Sequence, residues 1–341
     1  MKMTSKERVY AALDGKNPDR APQEMWLLGW SLDHYGKEVR QIQQEFPDDI
    51  TYAMCRPREI SPCCYGDPLA EGEYIDDFGC KFENLQKGII GEVKKPLVKD
   101  EEWFDADAVH IPEEWLSFDI AEVNDGIRKN QSDKFVIAGH CPRPFERLQF
   151  IRGSENFYID LITRPKKMMD FIERLHDFYC RLLTKWAQTD VDALRFIDDW
   201  GSQRALLINP SLWREIFKPM YQDYIKIAHS HGKRAFMHSD GYILDIYPDL
   251  IDMGLDAINS QIFCMGIDKV KQFRGEITFW GEIDRQNLLP YGSVDDIKRA
   301  VNEVYENLWD NGRCIAQLEF GPGAKVENVV AVFSEWKKIT G

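Results

Sequence analysis

Six short strand-like runs, each followed by helical sequence, succeed one another from Phe135 onward: FVIAG (135–139), ALRFID (193–198), RAFMH (234–238), DAINS (256–260), ITFWG (277–281) and CIAQL (314–318). Strands joined through helices run parallel, because a parallel pair needs a crossover long enough to hold a helix. The helical stretches carry their own punctuation. Arg164-Pro165 interrupts a helix begun at Ser154 and starts a longer one to Gln188. Asn209-Pro210 opens another, which Pro219 restarts or kinks before Gly232, and Ser293 caps 294–311. Further helices are expected over 242–252, 267–274 and 326–338.

Upstream, PQEMWLL (22–28) and residues 49–55 read as two more strands with a helix over 33–45 between them. Eight βα units with no linker-like break imply one closed (β/α)8 barrel, a single α/β domain spanning 1–341. An open doubly wound sheet is the alternative, weakened because no GxGxxG follows the first strand. Thr4 and Glu7 have capping-box spacing, so a helix ending near Gly15 and Pro18 precedes the first strand, where it can close the barrel floor. Residues 56–133 break into short pieces rich in Pro, Gly, Tyr and acidic residues. A stretch that long reads as an excursion with hairpins whose aromatic residues can cover the barrel mouth.

The balance of 43 basic against 57 acidic residues, net −14, gives no electrostatic footprint for nucleic acid or an anionic membrane surface. No apolar run approaches the roughly 20 residues needed to span a bilayer. The eight cysteines have no regular spacing and no CxxC pair, and the N-terminus has no apolar signal segment, so a cytoplasmic protein with reduced thiols is expected. The adjacent Cys63 and Cys64 are candidate metal ligands or reactive thiols, although adjacent side chains usually diverge.

In a parallel barrel the chemistry sits where strands end. There the chain carries His140 and Arg143, Asp198 and Asp199 with Trp200, His238 and Asp240, Gln261 and Cys264, Glu282 and Asp284 with Arg285, and Gln317 and Glu319. His238 and Asp240 lie two apart on one strand and point the same way, as a metal pair or an acid/base pair; the bland alternative is a loop-bonded His and a helix-capping Asp. Several carboxylates in one partly desolvated mouth repel unless cations sit among them. Arg143 and Arg285 supply part of that charge, and a divalent metal would supply the rest. Trp26, Trp200 and Trp280 are candidate walls for a flat or apolar substrate, with core packing as their alternative.

Taken together, the opening Thr4-Ser5-Lys6-Glu7-Arg8-Val9 through Pro18-Asp19-Arg20, Asp198-Asp199-Trp200-Gly201-Ser202-Gln203, Phe236-Met237-His238-Ser239-Asp240-Gly241, Pro248-Asp249-Leu250-Ile251, Phe279-Trp280-Gly281-Glu282-Ile283-Asp284 and Val326-Glu327-Asn328-Val329 resemble the uroporphyrinogen decarboxylase superfamily over nearly the whole chain. The resemblance implies a (β/α)8 barrel and one of two chemistries. The decarboxylases of haem synthesis carry an Arg-Gln-Ala-Gly-Arg-Tyr motif after the first strand, where this chain has Trp26-Leu27-Leu28-Gly29-Trp30-Ser31, so the arginines that would hold a porphyrinogen are missing. The other branch comprises corrinoid-dependent methyltransferases with zinc on a His-x-Cys and a later Cys. Here those places read His238-x-Asp240 and Glu319.

A His/Asp/Glu ligand set is harder than a thiolate set and suits an oxygen of a methyl ether or alcohol. The resemblance therefore implies a zinc-dependent methyltransferase passing a methyl group from a small, O-methylated substrate to the cobalt of a separate corrinoid (cobalamin) protein, with His238, Asp240 and Glu319 as ligands. Asp198 and Arg143 join His238 and Asp240 as catalytic candidates, and Trp26, Trp200, Gln261, Trp280 and Glu282 as substrate contacts. The competing reading is a metal-independent carboxy-lyase in which Asp198 or Asp240 handles the proton and Arg143 holds a carboxylate. A binding protein that has lost catalysis is the third, and association into a homo-oligomer is left open.

Overall fold

Every expected strand forms, and the computed structural model describes residues 2–131 and 133–341, so residue 132 of the expected excursion and residue 1 of the expected domain lie outside it. In chain order the strands are β1 (Gln23–Leu27), β2 (Ile50–Tyr52), β3 (Gly72–Ile75), β4 (Lys81–Asn84), β5 (Glu92–Val93), β6 (Phe135–Ile137), β7 (Ala193–Ile197), β8 (Arg234–Ser239), β9 (Ala257–Ser260), β10 (Thr278–Trp280) and β11 (Cys314–Phe320). Eight of them form one sheet in the order β1-β11-β10-β9-β8-β7-β6-β2, paired in parallel throughout. That is a nearly closed (β/α)8 barrel, with β1 and β2 as its two facing ends.

Among the described residues no continuous ladder joins those ends, and two adjacent acids bridge them instead. The backbone N–H of Asp49 donates to the Gln23 carbonyl at 2.8 Å, the Asp49 carboxylate accepts the Gln23 N–H at 2.9 Å, and the Asp48 carboxylate accepts the Met25 N–H at 2.8 Å. Asp49 also receives Arg8 and Arg20, each at 2.7 Å. Arg8 comes from the helix Ser5–Leu13, which opens with the expected capping box between Thr4 and Glu7. Val9 and Leu13 of that helix enter the barrel floor beside Ile50, Phe135, Phe236 and Ile315. One carboxylate therefore ties the N-terminal helix to the seam of the barrel.

The excursion folds into the antiparallel sheet β3-β4-β5, short turns over Phe104–Ala108 and Glu113–Ser117, and a helix Ile120–Asn130 capped by Asp119. Its Tyr74, Phe78, Phe82 and Trp103 belong to the same apolar core as the barrel helices. It meets the segments that follow β1 and β6: Trp115 stacks on His140 at 4.8 Å, and the Gly88 backbone lies against Gly29 and Trp30.

Three departures from expectation have local causes. A helix Pro144–Arg152 follows β6, and its apolar periodicity is hidden because Arg147 and Arg152 lie on its buried side, paired with Asp76 and Asp160. The segment 242–252 forms a tight turn at Leu244–Ile246 before a short helix Tyr247–Asp252. Residues 267–274 yield a short helix Ile267–Val270 and a tight turn Lys271–Phe273, preceded by another short helix, Ile262–Met265. All eight cysteines are free, with Cys63 half-buried and Cys64 exposed, and desolvation pushes both of those thiols up. Among the described residues no helix is long and apolar enough to cross a membrane.

Asp49 has a fully buried side chain that accepts Arg8 Nη1, Arg20 and the Gln23 N–H, so deleting the acid leaves a set of largely buried donors without their shared acceptor. Asp49→Ala should lower unfolding stability in urea by about 3–5 kcal/mol. Asp33→Ala, which breaks only the surface pair with Lys87, should cost less than about 1 kcal/mol. Equal losses for the two variants would show that the seam does not rest on Asp49.

Candidate metal centre at the barrel mouth

The ends of β7 and β8 meet glycine to glycine. A Cβ on Gly201 would lie 2.3 Å from the Tyr242 nitrogen, and one on Gly241, whose φ is +78°, would lie 2.1 Å from the Gly201 carbonyl oxygen. Only residues without side chains permit this approach. It allows the Gly201 N–H to donate to the Asp240 carbonyl at 3.1 Å and the Asp240 N–H to donate to the Asp199 carboxylate at 3.0 Å. Asp199 and Asp240 are thereby brought beside His238, whose Nε2 lies 3.6 Å from Asp199 Oδ1 and 3.7 Å from Asp240 Oδ1. All three are half-buried, and their ligand atoms lie within 4.8 Å of one another.

The protonation pattern of His238 follows from its support. Asn259 Nδ2 faces the Trp280 carbonyl, which can only accept, and lies 3.0 Å from Gln317 Oε1. Asn259 Oδ1 is consequently the atom that meets His238 Nδ1, at 2.6 Å, so Nδ1 carries a hydrogen. In the neutral ring the lone pair is then at Nε2, between the two aspartates. That is the arrangement a metal-binding histidine requires, oriented by a conjugate hydrogen bond behind it.

Arg285 organises the remaining acids. It binds Asp240 Oδ2, pairs with Glu319 Oε1 at 2.8 Å and stands 3.7 Å from Glu282 Oε1. One guanidinium does not neutralise three carboxylates in a desolvated mouth. Burial accordingly raises Glu319 and pushes Glu282 up to about 8, outweighing the pull of Arg285. Asp240 Oδ1 and Glu282 Oε2 are buried without a hydrogen-bond partner. On the other flank Arg143 lies 3.9 Å from Glu146, whose carboxyl is raised by burial and by Asp199 against the opposing fields of Arg143 and His238.

These contacts revise the expected site. Glu319 belongs to Arg285 and stands outside the triad, so the second carboxylate beside His238 and Asp240 is Asp199, which from sequence alone was as readable as a helix cap. Asp198 is fully buried, accepting the N–H groups of Phe145 and Glu146 at 3.0 and 2.8 Å and the Tyr221 hydroxyl at 2.6 Å. It fastens the helix after β6 to the barrel and does not face the mouth. Trp200 is likewise core, stacked on Phe145 at 4.0 Å and donating to the Tyr221 hydroxyl. Trp280 is sealed inside the barrel with its indole N–H on Glu24.

Trp26 remains at the mouth, its ring 5.2 Å from that of His238. Gln261 accepts the Gly241 N–H at 3.1 Å and, with Gln203, Cys264, Glu282 and Arg285, lines a cavity of about 100 Å³ beside the triad. His140 lies apart, against Cys55 and Trp115. Asn259 and Glu146 went unnoticed in the sequence: the first reads as one polar residue in a strand, the second as one surface acid on a helix.

The chain matches the family described as Uroporphyrinogen decarboxylase (URO-D) over residues 74–339. Among solved structures, a methyltransferase from Methanosarcina mazei superposes with a TM-score of 0.67 at 18 % identity, covering 99 % of this chain and 100 % of that one. The apo form of 3-keto-D-glucoside 4-epimerase, YcjR, from E. coli gives a TM-score of 0.38 at 11 % identity, covering 64 % of this chain and 84 % of that one. No curated protein matches the sequence. The family match takes in His238 on β8, Asp240 just after it and Glu282 just after β10, and extends over well more than half of the chain, so this protein belongs to the uroporphyrinogen decarboxylase family.

Proposed function

We propose that this protein is a zinc-dependent methyltransferase that moves a methyl group from a small O-methylated substrate to a corrinoid carried by a separate protein. The observation that supports this reading is the triad: two carboxylates around Nε2 of His238, one of them with an oxygen that is buried and unpartnered. A buried, unsatisfied carboxylate oxygen is costly without a cation. One nitrogen and two oxygen donors make a set suited to zinc, and three protein ligands are the number found at catalytic zinc sites. Zinc held by Asp199, His238 and Asp240 would supply a Lewis acid for an ether or hydroxyl oxygen of the substrate.

The chain's own groups do the rest. Asn259 keeps His238 in its ligating form, Arg285 turns Asp240 so that Oδ1 faces the imidazole, and Trp26 covers the imidazole and limits water. A methyl group that leaves an ether without its bonding electrons leaves a negative oxygen behind. Glu282, kept protonated at neutral pH by burial, is an acid at the mouth that can return a proton to it. The absence of the arginine-bearing motif after β1 and the likeness to the Methanosarcina mazei methyltransferase agree with this assignment. The excursion borders the mouth beyond β1 and β6, where a corrinoid protein would dock. The lyase reading loses support because Asp198, one of its two proton handlers, is pinned in the core.

Elemental analysis of purified protein should find close to one zinc per chain. His238→Ala and Asp199→Ala should each remove most of it, whereas Glu319→Gln should keep it. Full activity after complete removal of metal would sink the proposal and favour acid/base chemistry.

A second expectation concerns pH. Glu282 has a carboxyl raised from 4.5 to about 8, so above pH 4.5 the folded state holds a proton that the unfolded state has released. For this group the difference in bound protons, unfolded minus folded, is negative, so its contribution to stability falls as pH rises from about 4.5 to about 8 and levels beyond that. In metal-free protein Glu282→Gln should flatten this slope in denaturant titrations. An unchanged slope would show that Glu282 does not retain its proton.

A further inference from the structure

Beneath the triad, on the side of the barrel formed by β1, β2 and β7, the interior carries a cation with no anion. Arg195 lies on β7 two residues below Ile197, the residue in register with His238, which places it roughly 6.6 Å deeper along the strand. Its guanidinium stands 4.6 Å over the Tyr52 ring, and among the described residues its one polar contact is a loose 3.9 Å approach to Cys141 Sγ. Nε is buried and has no partner.

The other buried arginines of this chain set the standard. Arg8 is 2.6 Å from Asp19, Arg152 is 2.6 Å from Asp160, and Arg147 is bound to Asp76. Among the described residues Arg195 has no carboxylate within ion-pairing distance. Glu24 is the acid whose field reaches it, but both Glu24 oxygens are engaged elsewhere, by the Tyr52 hydroxyl at 2.8 Å and the Trp280 N–H at 2.7 Å.

A second donor is orphaned close by. Trp26 Nε1 is buried without a partner, and its N–H influences Glu24 and the Tyr52 hydroxyl without meeting either in hydrogen-bond geometry. Yet this is not sealed core, since Trp26, Tyr52, Cys141 and Arg195 all keep partial exposure. A half-buried guanidinium whose Nε is buried without a partner, with no carboxylate in reach, is open to an anion from outside the chain.

We infer that Arg195, with the indole N–H of Trp26, receives the carboxylate of the substrate, which makes the methyl donor a small monocarboxylic acid bearing its O-methyl group at the opposite end. The anion site stands on Arg195 alone; the identity of the other end rests on the methyl-transfer reading above. The acid enters first and the methyl end stays level with His238, toward the mouth. One strand repeat separates the two levels, which suits a single ring or a short chain. A lone guanidinium above Glu24 matches one negative charge, whereas a phosphate dianion would lack a second cation.

The test is calorimetric titration and thermal shift on the purified full-length protein with small monocarboxylates from acetate to 4-methoxybenzoate, with 4-methoxybenzamide and with inorganic phosphate. Monocarboxylates should bind and raise the melting temperature, 4-methoxybenzoate most. The amide should bind more weakly, and phosphate should not compete. Arg195→Met should weaken 4-methoxybenzoate by about 10- to 100-fold while leaving the amide and the zinc content unchanged. Trp26→Phe, which loses one N–H donor and keeps the ring, should weaken it severalfold.

If Arg195→Met fails to fold, Arg195→Lys keeps the charge but not the fork, and should bind the acid more weakly than the parent. No binding of any monocarboxylate at millimolar concentration would overturn the inference. So would equal affinity for acid and amide, or undiminished acid binding by the arginine variants. The same titration on metal-free His238→Ala separates the two proposals. Carboxylate binding that survives there supports the anion site whatever becomes of zinc, and binding lost with His238 but indifferent to Arg195 overturns it.

Discussion

Everything at the mouth depends on one carboxylate at the seam. Asp49 takes two guanidinium groups and a backbone N–H, and with Asp48 it fixes how β1 meets β2. Side chains alternate along a strand, so that register decides which residues of β1 face inward. Glu24 and Trp26 do so, one reaching Tyr52 and Trp280 and the other His238. A slip of one residue would present Met25 and Leu27 to the interior and leave His238 uncovered and Arg195 without its indole neighbour. A structural acid near the floor thus governs the chemistry of the opposite end.

Charge at the mouth is arranged as a deficit. Asp240, Glu282 and Glu319 share Arg285, and Asp199 adds a fourth acid. The protein manages this partly by keeping Glu282 protonated and partly by leaving one oxygen of Asp240 unpaired toward His238. Such a site is poised for a cation. Deeper in the barrel the sign reverses, since Arg195 is a cation in want of an acid. On the reading proposed above, the two unmet charges give the interior a polarity along its axis, and a molecule with an anionic tail and an electron-rich oxygen at its head would be the complement of that axis.

The barrel was legible in the sequence because its signal is repeated: six strand-helix alternations in succession, a capping box at the start, and prolines and asparagines at helix starts. His238 and Asp240 were legible as a pair because strand alternation alone makes them neighbours. Asp199 was not separable from Asp198, since beyond the last paired residue of β7 the alternation ceases to say which of two adjacent acids faces the mouth. That choice is made by the contact with Gly241, remote in sequence. Glu319 had the right position on its strand, but Arg285 reaches it first. Trp200 and Trp280 have the residue type of a pocket wall and the surroundings of a core, and residue type carries no record of surroundings. Arg195 stayed hidden for the opposite reason: within ALRFID one arginine reads as an interruption of an apolar run. Only the missing partner in three dimensions marks it.

The contact between Gly201 and Gly241 also bears on how this family member can change over generations. Neither position can accept a side chain while the other loop stays in place, because the first added carbon would fall inside a backbone atom of its neighbour. The two sites are therefore bound to one another in heredity: a drift at one is tolerated only if the opposite loop has already withdrawn, and withdrawal carries Asp199 away from His238. A side chain at either glycine would therefore cost the chain its triad before it cost it the barrel, whose seam and floor lie elsewhere.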